Sequence, residues 1–436
     1  MSKMKQNEVE WIGEISEKWE VKQVKHSFVR KNEKAMQENP TVLSLARSGV
    51  KERAISNNEG QLAEIYYNYN PVDVDDLLIN PMDLYSGANC SISKVKGVIS
   101  PAYINLRAKK NVSPVFYDYY FKVQYWMMAF FAHGNGVSFE NRWTLNNETL
   151  QNYPIVAPSV ETQQRIASYL DKKCSKIEET IQNQQQVIEK LKAYKQSLIT
   201  EAVTGKIKIQ NGKVCGKYES YKESGVEYLG KIPSNWNIKR LRYIGKCQNG
   251  ISKGGEFFGS GYPFVSYGDV YNNLLLPETV SGLIESTPEE QKNYSVKSGD
   301  IFFTRTSETI EEVGFTSVCL KTIENATFAG FVIRVRPFTE ELIPDYSKYY
   351  FSSDAHRRFF VKEMNLVTRA SLSQDLLKRL PVLIPSKDEQ KEIADYLDKK
   401  CTAIDTAIEQ KQKLIEKLTE YKKSLIYECV IGKKEI

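Results

Sequence analysis

Residues 154–206 read PIVAPSVETQQRIASYLDKKCSKIEETIQNQQQVIEKLKAYKQSLITEAVTGK, and residues 381–433 read PVLIPSKDEQKEIADYLDKKCTAIDTAIEQKQKLIEKLTEYKKSLIYECVIGK. The two stretches align without a gap at an offset of 227 residues, with about half of the positions identical. A repeat this long is architecture, not chance. A shorter echo supports it: EWIGEISEKWEVKQVK from Glu10 returns as EYLGKIPSNWNIKRLR from Glu227. The chain is a head-to-tail duplication of one module, a variable globular part followed by a long helix.

The helix reading rests on spacing. Ile166, Leu170, Ile177, Ile181, Ile188, Leu191 and Leu198 fall at three- and four-residue steps or their seven-residue sum, as do Ile393, Leu397, Ile404, Ile408, Ile415, Leu418 and Leu425. Lys, Glu and Gln, good helix formers, fill the gaps. The regions of Ser159–Thr162 and Ser386–Glu389 supply N-caps, and Gly205 and Gly432 suit C-terminal stops. Each helix of ~43 residues is ~65 Å long at 1.5 Å per residue. So narrow an apolar stripe must pair, and its nearest partner is the other copy. Gln184 and Lys411 are polar positions at the centre of the seam, a device that fixes register at some cost in stability. Dimerisation of two chains through these helices is the alternative.

The domain reading follows: a first globular part over 1–153, a helical spacer over 154–205, a connector over 206–225, a second globular part over 226–380 and a second spacer over 381–436. The globular parts read as mixed, with short β-branched or aromatic runs such as GDIFFTRTS (299–307) and GFVIRVRP (330–337) bounded by Gly and Pro. Residues 116–131 and the run ending at Met364 read as helices.

The composition sets limits. The chain has 436 residues, 41% of them hydrophobic, enough for two domains with cores. No apolar run approaches a membrane span, and MSKMKQNEVEW offers no signal peptide, which together argue for a cytoplasmic protein. The seven cysteines (Cys90, Cys174, Cys215, Cys247, Cys319, Cys401, Cys429) are scattered, odd in number and free of CxxC pairs. They read as reduced thiols, not as a disulfide frame or a zinc site. The net charge of +6 fits a nucleic-acid binder and equally a well-solvated surface.

No catalytic constellation is visible. A P-loop is absent. Asn80-Pro81-Met82-Asp83 lacks the second proline and the aromatic that an amino-methyltransferase requires. Asp73, Asp75 and Asp76 cluster without a matching E-x-K, and read as a solvated loop before a strand.

With this arrangement laid out, the chain resembles the specificity subunits of type I restriction–modification enzymes. The carriers are the duplicated (I/A)PS…Q-x-x-IA-x-YLDKKC entries to the long helices, the W-(I/L)-G-x-I…W openings at Trp11 and Tyr228 (tyrosine replaces the first tryptophan in the second copy), and SLSQDL at Ser371. The resemblance implies an α+β protein with a pseudo-two-fold internal repeat. Two mixed α/β target recognition domains would be separated by two long helices pairing as an antiparallel coiled coil. Each domain would read half of a bipartite DNA target. Two methyltransferase subunits and two motor–nuclease subunits would carry out N6-adenine methylation and restriction. S-adenosylmethionine, ATP and Mg²⁺ would be used by those partners, with no cofactor or metal held by this chain and no catalytic residue in it.

Arginine and lysine contact phosphate or guanine, and asparagine pairs with adenine. Candidate DNA-binding residues are therefore Arg47, Lys51, Arg53, Lys94, Lys96, Asn141, Arg142, Lys253, Arg305, Thr306, Thr368 and Arg369, each lying in a basic or polar loop that reads equally as solvated surface. Arg305 stands out, because Thr-Arg-Thr-Ser follows a hydrophobic strand. Tyr267 and Trp143 are aromatic candidates for stacking or for core. Tyr194 and Tyr421 lie beside the stripe at equivalent places and read as core or as a junction with a partner. Two readings compete with the adaptor: a stand-alone nuclease or methyltransferase with a divergent site, and a coiled-coil scaffold that never meets DNA.

Overall fold

The computed structural model describes residues 4–7, 9, 11–53, 66–82, 84–85, 89–136, 143–307, 313–363 and 370–436. The chain divides into two compact units, Met1–Gln184 with Gln412–Ile436, and Gln185–Lys411.

The first unit is built on β1 (Phe28–Lys31), β2 (Leu77–Ile79), β3 (Cys90–Ile92) and β4 (Ile104–Ala108), all antiparallel in the order β1-β4-β2-β3. Every residue of the central strand β2 is buried, because both faces of the sheet are covered. Leu77 and Ile79 point to the main core, and Leu78 joins a smaller cluster with Leu43, Leu45, Val72 and Ile99. Helix α1 (Pro114–Trp126) packs its aromatic run into the main core. Ser113 caps it and Pro114 occupies its first turn. The helix is shorter than the aromatic run suggests. Met128 adopts φ 59°, and a separate turn, Ala129–Ala132, follows.

The second unit repeats the plan with β5 (Gly245–Asn249), β6 (Ile301–Thr304), β7 (Thr316–Val318) and β8 (Val332–Pro337) in the order β5-β8-β6-β7, followed by α2 (Pro344–Ser352). The helix expected to run on to Met364 is broken at Ser353. This residue is extended (φ −77°, ψ 158°) and its hydroxyl donates to the Tyr350 carbonyl at 2.7 Å. A second helix then spans Asp354–Glu363. Serine competes for backbone partners in this way and favours helix ends over interiors.

The duplication reaches into parts where the sequences have diverged. In the second unit, Arg336 grips the buried Asp300 side-on, Nε to Oδ1 at 2.7 Å and Nη2 to Oδ2 at 2.6 Å, and the Lys297 amide donates to the same carboxylate at 2.7 Å. In the first, Arg107 and Lys31 bind the fully buried Asp76, and the Asp73 amide donates to it at 2.8 Å. The aspartate cluster is thus solvated only in part: Asp75 is exposed, but Asp76 is not. Asp76 has no exposure, and the guanidinium brought in from β4 pairs with it. Asp73 stays half-exposed, its carboxyl lowered to about 2 by hydrogen bonds from Arg107 and Lys31.

His356, in the Asp354–Glu363 helix, is buried among Phe303, Phe351 and Phe360. Its Nε2 meets the Gly314 carbonyl at 3.2 Å, and Nδ1 has no partner. Burial, with Arg357 nearby, pushes its pKa down to about 3. The unfolded chain therefore binds a proton below pH ~6.5 that the folded unit refuses, and stability is lost as pH falls through that window. The second unit is expected to lose about 2 kcal/mol between pH 7 and pH 5. Urea titrations at the two pH values check this, and a His356→Phe variant is expected to show a smaller slope.

The long helices span Val160–Val203 and Lys387–Val430. Ser386 and Glu389 form a reciprocal capping box, and Ser159 accepts from the Thr162 amide at 3.3 Å. Both helices end on a left-handed glycine, Gly205 at φ 70° and Gly432 at φ 79°. The Lys206 amide reaches back to the Glu201 carbonyl. A side chain at Gly205 would strike Pro233, and one at Gly432 would crowd Trp19, so the opening echo of each module closes a helix end. The echo also pairs with the helix entries: Asn237–Arg240 runs antiparallel to Pro381–Ile384, and Glu20–Gln23 to Pro154–Ala157. In the connector, Asn211-Gly212, both at positive φ, turn a small hairpin between Ile209–Gln210 and Lys213–Val214.

Within each unit the two helices run antiparallel. Lys422 bonds Glu178 at 2.6 Å in the first, and Lys195 bonds Asp405 at 2.6 Å in the second. Leu170, Ile177 and Leu425 are buried in the first core with Cys174, Ile426, Cys429 and Val430, while Ile181 and Leu418 are partly buried against it. Leu198 and Leu397 lie in the second core with Ile199, Val203, Ile393 and Cys401. Ile188 and Ile404 are also buried. Gln184, Leu191, Ile408, Lys411 and Ile415 are half-buried. Tyr194 and Tyr421 are exposed, at 56% and 55%, and belong to no core. In a Cys215→Ser background, a short bifunctional maleimide is expected to join Glu178→Cys to Lys422→Cys, and Lys195→Cys to Asp405→Cys, within one chain. Cross-linking of Cys174 to Cys401 instead would require parallel helices.

Candidate nucleic-acid interface

In the order β5-β8-β6-β7 the C-terminal ends of β5 and β6 flank the N-terminal end of β8. Asn249 lies opposite Ile333, and Thr304 opposite Val332. The chain leaves this edge of the sheet through Arg305, whose amide donates to the Phe331 carbonyl at 2.9 Å and whose carbonyl accepts from Leu372 at 2.7 Å. Thr306 and Ser307 then pair with Ser371 and Ala370. One sheet edge thus gathers Asn249, Arg305, Thr306, Phe331 and the segment that carries Gln374. Phe331 is 64% exposed. The Gln374 amide bonds the Asn249 amide, Nε2 to Oδ1 at 2.9 Å. Arg305 and Thr306 were legible as candidates. Asn249, Phe331 and Gln374 were not, because 125 residues separate the two amides and no motif links them.

The first unit has the same edge with different chemistry. Pro81 stands where Arg305 stands, its carbonyl accepting from Leu145 at 2.8 Å. Asn80 is buried, with its Oδ1 accepting from the Met82 amide. Asn141, Arg142, Thr368 and Arg369 lie outside the described residues.

The other candidates fall elsewhere. Arg47 sits at the turn of the hairpin Leu43–Ala46/Gly49–Glu52 and lines a cleft with Lys122, Lys422, Lys423, Trp126 and Glu178. Lys51 and Lys94 are exposed, and Arg53 is half-buried, with its amide on the Val42 carbonyl. Lys96 is exposed, 3.9 Å from Asp73. Lys253 is not an open cation. Its ammonium is tied to Glu290 at 2.8 Å and to the Glu285 carbonyl at 2.7 Å, over the Phe257 ring. Trp143 stacks on Phe131 and donates to its carbonyl at 2.7 Å, so it serves packing. Tyr267 stacks on Tyr271.

Two copies of one mixed α/β domain, each seated on the entry of a long helix, define a duplicated two-domain architecture. The pattern of the family described as the type I restriction modification DNA specificity domain matches residues 16–193 and 233–419, and the chain belongs to that family. It is 24% identical over 291 residues to the EcoKI specificity subunit of Escherichia coli K12, covering 65% of this chain and 58% of that protein. It is 22% identical over 381 residues to the EcoBI specificity subunit of Escherichia coli, covering 86% of this chain and 76% of that one. The chain thus spans a little over half the length of the first of these relatives. Among solved structures it resembles a chain from a study of complex assembly and conformational transition of the type I R-M system (TM-score 0.71, 13% identity, 95% of this chain and 98% of that one). It also resembles the HsdS subunit from Thermoanaerobacter tengcongensis (TM-score 0.52, 13% identity, 96% and 98% covered). Among the described residues no helix is long and apolar enough to cross a membrane.

Proposed function

We propose that this chain is a sequence-specific DNA recognition subunit. Each recognition domain reads one half of a bipartite target, and methyltransferase and motor–nuclease partners carry out N6-adenine methylation and restriction there. The observation that carries this reading is the twice-built domain: the same strand order and the same buried Asp–Arg bridge, with different side chains at the sheet edge in each copy. Constant scaffolding with variable edges is what reading two different half-sites requires. Two tethered readers gain effective concentration when their spacing matches the target. S-adenosylmethionine, ATP and Mg²⁺ belong to the partners in this reading. Arg305 serves as a phosphate or guanine contact, Thr306 as a polar one, and Arg47, Lys51, Lys94 and Lys96 as phosphate contacts.

Sequencing host DNA for N6-methyladenine with and without the gene tests this. Loss of methylation at one split motif, two short blocks around a fixed gap, is expected. A methylome unchanged when the gene is removed from an active modification system would overturn it. The purified chain is expected to bind duplex DNA with an affinity that falls steeply with salt, since phosphate contacts release counterions. It should transfer no methyl group without its partner.

A further inference from the structure

We propose that Asn249 and Gln374 act as one unit that reads the N6–N7 edge of a single adenine in the half-site taken by the second recognition domain. The inference rests on the DNA-reading function and adds the residues and the base.

The chemistry follows from the bond between the two amides. Gln374 Nε2 donates to Asn249 Oδ1 at 2.9 Å, which leaves Gln374 Oε1 as an acceptor and Asn249 Nδ2 as a donor. Exchanging oxygen and nitrogen in both amides reverses the internal bond and again leaves one acceptor and one donor. The pair therefore offers the same pattern in either assignment. In the major groove, only adenine sets an acceptor, N7, beside a donor, N6–H. Guanine shows two acceptors, cytosine a donor, and thymine an acceptor with a methyl group.

The pair is also placed and braced. Asn249 is the last residue of β5, opposite Ile333, and both amides are half-buried at the edge from which Arg305 leaves the sheet. A lone glutamine loses rotamer freedom when it binds; one already bonded to a neighbour loses less. Arg305 supplies the adjacent cation that holds the backbone of the nucleic acid.

The test uses the full chain in complex with its methyltransferase, after the split motif is mapped for the wild type. Each adenine of the motif is replaced in turn by 7-deaza-adenine, which removes only the N7 acceptor. One position in one half-site is expected to weaken wild-type binding about ten-fold. Gln374→Ala, which removes the acceptor for N6–H, is expected to weaken binding to the natural site about ten-fold and to stay sensitive to 7-deaza-adenine at that same position, a sensitivity that Asn249→Ala, which removes the donor to N7, loses. The Gln374→Ala methylome is expected to lose base preference there, with the other half-site unchanged. Asn249→Ala supplies an independent second variant. The inference fails if the wild type tolerates 7-deaza-adenine at every adenine. It fails equally if both variants keep the wild-type motif, or lose affinity for all sequences alike. Absence of any split motif in the wild type would instead sink the DNA-reading function itself, before a variant is made.

Discussion

Asp300→Ala is expected to cost the second unit about 3–5 kcal/mol, the range seen when one partner of a buried ion pair is removed. The carboxylate is 1% exposed and accepts two guanidinium bonds and a backbone amide. Without it, Arg336 faces Arg334, which is 4% exposed and sits against the Phe328 ring. Burial already lowers the Arg334 pKa to about 10, so it remains charged at neutral pH. Two arginines would then share a poorly solvated site with no counter-charge. Hydrogen exchange by mass spectrometry separates the units. Peptides covering β5, β6 and β8 should lose protection, and those of β1, β2 and β4 should keep it. Asp76→Ala is expected to give the mirror result. If Asp300→Ala leaves protection within about 1 kcal/mol of the wild type, the bridge is ornament, and its recurrence in both domains needs another cause.

What the sequence disclosed, and what it withheld, follows from contact distance along the chain. The helix entries and stops were legible because a cap is local: Ser386 and Glu389 are three residues apart, and Gly432 follows the last apolar turn. The pairing of the helices was legible because the stripe repeats. Asp76 was misread because it meets Arg107 across 31 residues, with only a composition-like cluster in view. The Asp354–Glu363 helix was expected to be continuous with α2, since Ser352-Ser353 within an aromatic-rich, helix-forming run carries little weight until the Ser353 hydroxyl is seen on the Tyr350 carbonyl. At the candidate interface the strand exit at Arg305 was visible as a polar group after an apolar run. The amide pair was invisible because it joins the end of β5 to the segment just before the second helical spacer.

Gln390→Leu is expected to cost the second unit about 2–4 kcal/mol, and Gln163→Leu a comparable amount in the first, because they strip three and two backbone groups of their partner. The duplicated glutamine of ETQQ and DEQK is a clamp. Gln390 is fully buried; its Oε1 accepts from the Ile343 amide at 2.9 Å and its Nε2 donates to the Glu341 and Pro385 carbonyls at 2.9 and 3.0 Å. Ile343 immediately precedes α2 and has no side-chain cap, so the long helix supplies what the sequence there lacks. Gln163 holds the Ser113 amide at 2.8 Å and the Pro158 carbonyl at 2.8 Å in the same way. A second tie accompanies each clamp: Tyr349 to Asp398 at 2.7 Å, and Tyr119 to Asp171 at 2.8 Å. Two ties per domain fix its angle on its helix, where one would leave a pivot. If the helices set the gap between half-sites, a loosened clamp should blur that gap and spare the bases. The Gln390→Leu complex is expected to methylate sites whose gap differs by one base pair, about 3.4 Å of rise, with both half-site sequences unchanged. A destabilised variant that kept a single gap would confine the glutamine to stability. A variant that changed the bases read would place it in the recognition surface instead, against its burial beneath α2.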